Sequence, residues 1–69
     1  PNPAKDVISF NGDLKNIKIY DLTGKVIFEN NQGYYKGTLL NISNISKGIY
    51  IVGIKGMDDK SQYIKLLKD

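Results

Sequence analysis

The stretch ISKGIYIVGI, residues 45–54, joins a turn to a run of apolar side chains. Successive side chains of a β-strand point to opposite faces, so a run that is apolar at every position is buried on both faces. This pattern predicts the central strand of a sheet. The spacing of Ile45, Gly48 and Tyr50 resembles a tyrosine corner, in which a tyrosine near the start of a late strand bonds back to the backbone through its hydroxyl. We therefore expect Tyr50 to be buried, with its hydroxyl bonded to backbone near residues 45–47.

Five further runs of β-branched and aromatic residues flank this stretch, and turn signals separate them. The runs are residues 7–10, 17–20, 25–29, 38–42 and 62–67. Turn signals at intervals of roughly 8–12 residues are typical of a sandwich or barrel. No window shows a sustained helical period of 3.6 residues. The sequence therefore predicts an all-β fold, a small antiparallel β-sandwich of six or seven short strands.

Three details predict local geometry. Ile17 and Ile19 share one face of their strand, which we expect to be buried. The tetrapeptide that begins at Asp21 and ends at Gly24 predicts a hairpin turn. In such a turn the aspartate accepts hydrogen bonds from backbone amides and the glycine adopts positive φ. Gly53, inside the central strand, predicts a gap that a large neighbour fills, or a bulge.

The length of 69 residues fits one domain. Two prolines around Asn2 fix extended geometry and remove backbone donors, which marks a domain boundary. We interpret residues 1–4 as a linker or domain entry and residues 5–69 as the folded domain. The start at a proline leads us to expect that the chain is cut from a longer protein, with a partner domain upstream.

The composition argues against catalysis. The chain has no histidine and no cysteine, and Glu29 is its only glutamate. A nucleophile with a base partner cannot be assembled from these residues in any recognisable pattern. Asp58 and Asp59 supply only part of the six to eight oxygens that calcium prefers, so we interpret them as a polar turn. We expect no enzyme activity, no cofactor and no metal site.

The charges argue against nucleic acid as a partner. Ten lysines and seven acidic residues give a net charge of +3, and there is no arginine. The lysines are spread along the whole chain, whereas nucleic-acid binders cluster their cations and use arginine for bidentate contacts. No apolar run approaches the roughly 20 residues that span a bilayer, so we expect no transmembrane segment.

Two features leave alternatives open. Tyr34 and Tyr35 form a possible ligand platform that stacks on a sugar, or they seal the edge of a small core. The last run, residues 60–69, places lysines around apolar residues. It is either a final edge strand protected by lysines or a surface presented to a receptor by strand addition.

Four pieces of the sequence, taken in order, resemble a known family. The pieces are Pro1-Asn2-Pro3-Ala4, residues 17–26 (IKIYDLTGKV), residues 42–52 (ISNISKGIYIV) and residues 63–68 (YIKLLK). Together they resemble the type IX secretion C-terminal sorting domains of Bacteroidota, also called Por secretion tails. The resemblance covers nearly the whole chain. One departure is Asp69, since such domains more usually end on a basic or apolar residue.

The resemblance implies an immunoglobulin-like sandwich that directs a larger cargo protein across the outer membrane. The implied partners are the type IX translocon, its shuttle protein and a sortase that removes the domain, and the implied route leads through the periplasm to the cell surface or the medium. The residues that match the recognition signal are Gly48, Tyr50, Lys65, Leu66, Leu67 and Lys68. The alternative is an immunoglobulin-like accessory module, carbohydrate-binding or adhesive, that uses Tyr34 and Tyr35. A domain removed from the secreted cargo is a signal, whereas a retained domain is a module.

Overall fold

In the computed structural model, which describes residues 6–69, the chain forms six strands in two antiparallel sheets. The strands are β1 (Val7–Ser9), β2 (Leu14–Tyr20), β3 (Val26–Asn30), β4 (Leu39–Asn41), β5 (Gly48–Gly56) and β6 (Ser61–Lys68). Each overlaps one of the predicted runs, and the described residues contain no helix. The prediction of a small all-β sandwich is confirmed. The predicted linker, residues 1–4, lies outside the described residues, as does Lys5.

The strand that is apolar on both faces is an inner strand, as predicted. The larger sheet has the order β3-β2-β5-β6, and β1 pairs with β4 in the second sheet. β5 therefore has antiparallel neighbours on both sides. β6, the last strand of the chain, lies at the edge of the larger sheet.

The core lies between the two sheets. Ile17 and Ile19 of β2 have no exposed surface (0%), which confirms the predicted buried face. Burying such a side chain stabilises the fold by roughly 1.5–3 kcal/mol. The buried apolar residues of the core are Ile8, Leu14, Ile17, Ile19, Leu40, Ile42, Tyr50, Val52 and Leu66.

Leu14 reaches this core because of an irregularity in β2. Strict alternation would place Leu14 on the face opposite Ile17 and Ile19. The register between β2 and β5 shifts between Leu14 and Asn16, and Leu14 is only 6% exposed. A bulge of this kind adds one residue to one strand and re-aims the side chains beyond it.

The turn between β2 and β3 has the predicted geometry. Gly24 has a φ of 90°, and its amide donates to the Asp21 carbonyl at 3.0 Å. Oδ1 of Asp21 accepts hydrogen bonds from the Thr23 hydroxyl at 2.6 Å, the Thr23 amide at 2.9 Å and the Lys25 amide at 3.0 Å. The bond from the Thr23 hydroxyl is the main cause that holds the pKa of Asp21 below its ordinary value of 3.8.

The start of β1 and the end of β6 lie at the same end of the sandwich. The Ile42 amide donates to the Asp6 carbonyl at 2.7 Å, just before β1. From there residues 42–47 lead into Gly48, which pairs with Lys68. We call this end the corner end. The turn that joins β5 to β6 lies at the opposite end.

Candidate recognition surface

Two motifs that are distant in the sequence lie directly opposite each other at the corner end. Across the β5–β6 ladder, Gly48 pairs with Lys68 and Tyr50 pairs with Leu66. Ile49 and Ile51 pair with Leu67 and Lys65 in the same ladder. All six residues that we expect to carry the recognition signal therefore belong to one block of paired strand. We call residues 48–51 and 65–68 the β5–β6 block.

Tyr50 has the predicted environment. Its side chain is 9% exposed, and its hydroxyl donates to the Ser46 carbonyl at 2.7 Å. Its ring lies beside Gly48, where an added Cβ would come within 3.7 Å of the ring. Gly48 itself has a φ of 157°, a conformation that side-chain-bearing residues rarely adopt. Glycine at this position thus lets the chain turn into β5 over the tyrosine ring.

The β5–β6 block has two faces with different roles. Tyr50 and Leu66 face the core, and Leu66 is 4% exposed. Ile49 and Leu67, which alternate with them along the strands, face outward and are each 40% exposed. Lys65 is exposed on the same outward face. The inward residues hold the strands in place, while the outward residues present part of their side chains to solvent.

Lys68 is a buried lysine. Its side chain lies on the inward face next to Leu66 and is 8% exposed. Its Nζ donates to the Asp69 carbonyl at 2.9 Å. Long lysine side chains often pack their methylene groups on apolar surface and keep the ammonium near the rim. Lys68 therefore contributes to packing, and its substitution would disturb the core as well as the charge.

Tyr34 and Tyr35 differ in their surroundings. Tyr34 forms a β-bridge with Leu14, packs against the core and accepts a hydrogen bond from Nδ2 of Asn30 at 2.7 Å. Tyr35 is 81% exposed. One ring thus seals the core while the next is open to solvent. Ligand binding by this pair stays a prediction.

The two adjacent aspartates occupy a turn, as interpreted from the sequence. Oδ1 of Asp58 accepts a hydrogen bond from the Lys60 amide at 3.1 Å. Asp59 forms an ion pair with Lys15, and this contact is the main cause that holds the pKa of Asp59 below its ordinary value. Within residues 6–69 no group of three or more histidine, cysteine, aspartate or glutamate side chains is placed to hold a metal ion.

Sequence reasoning missed Ile49 as a surface residue. The run around Ile49 is apolar on both faces, so the sequence does not indicate that one face of the strand is partly exposed to solvent. The register of the β5–β6 ladder places Ile49 opposite Leu67, and this register cannot be read from the sequence.

In the described part of the chain, no helix is long and apolar enough to cross a membrane.

A family model described as "Secretion system C-terminal sorting domain" matches residues 1–68. The chain belongs to this family. The resemblance drawn from the four sequence pieces is thereby confirmed, and the domain is a type IX secretion C-terminal sorting signal. Membership implies an upstream cargo and export toward the outer membrane, the cell surface or the medium. The family is one of sorting signals and not of catalysts.

Comparison with curated proteins and with solved structures gave no significant match.

Proposed function

We propose that the type IX translocon and its shuttle protein recognise this domain through the β5–β6 block. In this proposal the cargo passes through the periplasm and crosses the outer membrane, and a sortase then removes the domain. The chain carries no catalytic step of its own. The observation that supports the proposal is the register of the ladder, which joins Gly48 and Tyr50 to residues 65–68 in one block.

The outward face of the block supplies the contact chemistry. Ile49 and Leu67 form an exposed apolar pair across the two strands, and Lys65 adds a positive charge beside them. An apolar centre with a charged neighbour is the usual composition of a small protein–protein contact. Tyr50, Leu66 and Lys68 act indirectly in this proposal, because they hold the strand that presents these groups.

The test is export of a reporter fused upstream of the chain. Leu67→Thr removes the outward apolar side chain but keeps a residue that favours strands. Leu39→Thr in β4, where the leucine is 63% exposed, is the matched control. We expect Leu67→Thr to lower the secreted fraction roughly fivefold or more, the effect of losing a contact worth more than 1 kcal/mol. The control should export normally, and both variants should melt near the parent temperature.

The charge is tested in the same way with Lys65→Gln, and Lys36→Gln serves as its control because Lys36 is exposed outside the block. Lys68 is unsuitable for this comparison because its side chain is buried. Normal export of the double variant Leu67→Thr, Lys65→Gln would show that the receptor does not recognise the outward side chains of the block. Normal export after deletion of residues 65–69 would overturn recognition through the block altogether.

A further inference from the structure

Two tyrosine rings meet over Gly53 on the outer face of the four-stranded sheet, the face turned away from β1 and β4. Gly53 pairs with Tyr63 on one side and with Lys18 on the other. A Cβ built on Gly53 would lie 3.0 Å from the Tyr63 ring and 3.2 Å from the Tyr20 ring. The gap predicted at Gly53 is therefore filled by aromatic neighbours. The two rings lie side by side around Gly53, and Tyr63 is 69% exposed.

Polar groups surround this aromatic pair. A shallow groove of about 160 Å³ runs beside the rings. Its lining includes Asn16, Lys18, Lys55 and Ser61. This volume lies below the roughly 300–1,000 Å³ of pockets that enclose drug-sized ligands, so the groove suits contact with one face of a small ring. Amide, hydroxyl and ammonium groups on its walls can donate hydrogen bonds.

The charges of this face leave a small positive excess. Lys18 forms an ion pair with Glu29 at 3.7 Å, which offsets its charge. Lys55 lies near Asp59, whose main partner is Lys15. Lys55 is therefore the groove lysine with the less compensated charge, and it lines the groove beside the tyrosine rings.

We propose that this groove binds an acidic oligosaccharide. A sugar ring stacks its C–H face on Tyr63 and Tyr20, and its hydroxyl groups bond to Asn16 and Ser61. Lys55 pairs with its carboxylate or phosphate groups. The glycine is essential to this arrangement, because a side chain at position 53 would occupy the space where the rings meet. This activity goes beyond the sorting role and uses none of the β5–β6 block.

The test is an NMR titration of ¹⁵N-labelled 69-residue chain with hexagalacturonate at low salt. We expect chemical-shift changes confined to residues 16–20, 53–55 and 61–63. Tyr63→Ala should weaken binding roughly tenfold, since stacking on one ring carries much of the affinity. Tyr35→Ala is the matched control, because Tyr35 is an exposed tyrosine outside the groove (81% exposed), and it should bind like the parent.

Two further variants separate binding from folding. Tyr63→Phe keeps the ring over Gly53 and should retain affinity within about twofold. Lys55→Gln should weaken binding and reduce its dependence on salt, whereas Lys36→Gln should do neither. Tyr63→Phe and Lys55→Gln therefore test binding in the groove even where Tyr63→Ala perturbs the strand.

Three results would overturn the proposal. One is the absence of shift changes in the groove at millimolar hexagalacturonate. Another is equal or tighter binding of neutral maltohexaose, which would show that the charge of Lys55 does not contribute to binding. The third is tighter binding of an oligothymidylate with the same dependence on Tyr63, which would make the groove a nucleic-acid site. None of these results bears on reporter export, so the sorting proposal is tested separately.

Discussion

At the scale of single residues, Tyr50 connects the turn before β5 to the core. Its ring fills the space beside Gly48, and its hydroxyl bonds to the Ser46 carbonyl at 2.7 Å. Its partner in the β5–β6 ladder is Leu66, which is also buried. A tyrosine in this position stabilises the strand entry by packing and by one hydrogen bond, and both were predictable from the Ile45–Gly48–Tyr50 spacing.

Tyr50→Phe removes only the hydrogen bond. We expect the free energy of unfolding to fall by about 1 kcal/mol, because the ring stays in place and one part-buried bond is lost. In a domain of this size that change lowers the melting temperature by about 4–8 °C. Chemical denaturation of the parent and the variant measures the difference. Tyr35→Phe, at an exposed tyrosine, is the control, and a loss no larger than that of the control would contradict the role given to the hydroxyl.

At the scale of elements, the β2–β3 hairpin depends on one carboxylate. Oδ1 of Asp21 accepts three hydrogen bonds from the turn, and Gly24 supplies the positive φ that closes it. A carboxylate accepts these bonds best when it is ionised, which is why its pKa lies below 3.8 in the folded chain. The stability that the turn gives the hairpin is therefore coupled to pH.

Asp21→Asn tests this coupling. Because the pKa of Asp21 is lower in the folded chain than in the unfolded chain, its ionisation stabilises the fold above about pH 4. That contribution is lost as the pH falls through the lowered pKa. We expect the variant to melt below the parent at pH 7 and to approach it near pH 2. Asp6→Asn, at another exposed aspartate, is the control. A difference between parent and variant that is constant from pH 7 to pH 2 would contradict this account.

The elements show what the sequence could and could not predict. Turn residues and β-branched runs located all six strands, because these signals are local. The start of β2 was predicted three residues late, at Ile17, because a bulge near Asn16 breaks the alternation on which the prediction relied. The partner of each residue in β6 was not predictable, since register depends on how β5 and β6 meet across a turn. The outward pair of Ile49 and Leu67 therefore emerges only from the structure.

At the scale of the whole molecule, the position of a lysine in the sandwich decides whether its side chain is exposed or buried. Lys65 and Lys68 look equivalent in the sequence, and both were expected at the surface of an edge strand. They face opposite sides of β6, and Lys68 is enclosed at the corner end beside Tyr50 and Leu66. Lys68 therefore acts as a packing residue, whereas Lys65 lies on the exposed face of the same strand.

For the sortase removal that we propose, the same architecture limits where the chain can be cut. A protease needs an extended segment that is free of other pairing, whereas β1 is paired with β4 and Ile8 is 4% exposed. Drawing β1 out would expose Ile8 and cost roughly 1.5–3 kcal/mol of apolar burial besides the ladder bonds. The Asp6 carbonyl is bonded to the Ile42 amide as well. We therefore expect cleavage before Asp6, so that the released domain contains all of Val7–Lys68. Intact-mass measurement of secreted cargo and released fragment locates the cut, and a sortase-deficient strain provides the uncut control.

A secreted cargo that retains Ile8 after processing would contradict the prediction. A cargo that keeps the entire domain in the wild-type strain would favour the accessory-module alternative, because a sorting signal is needed only until the outer membrane has been crossed.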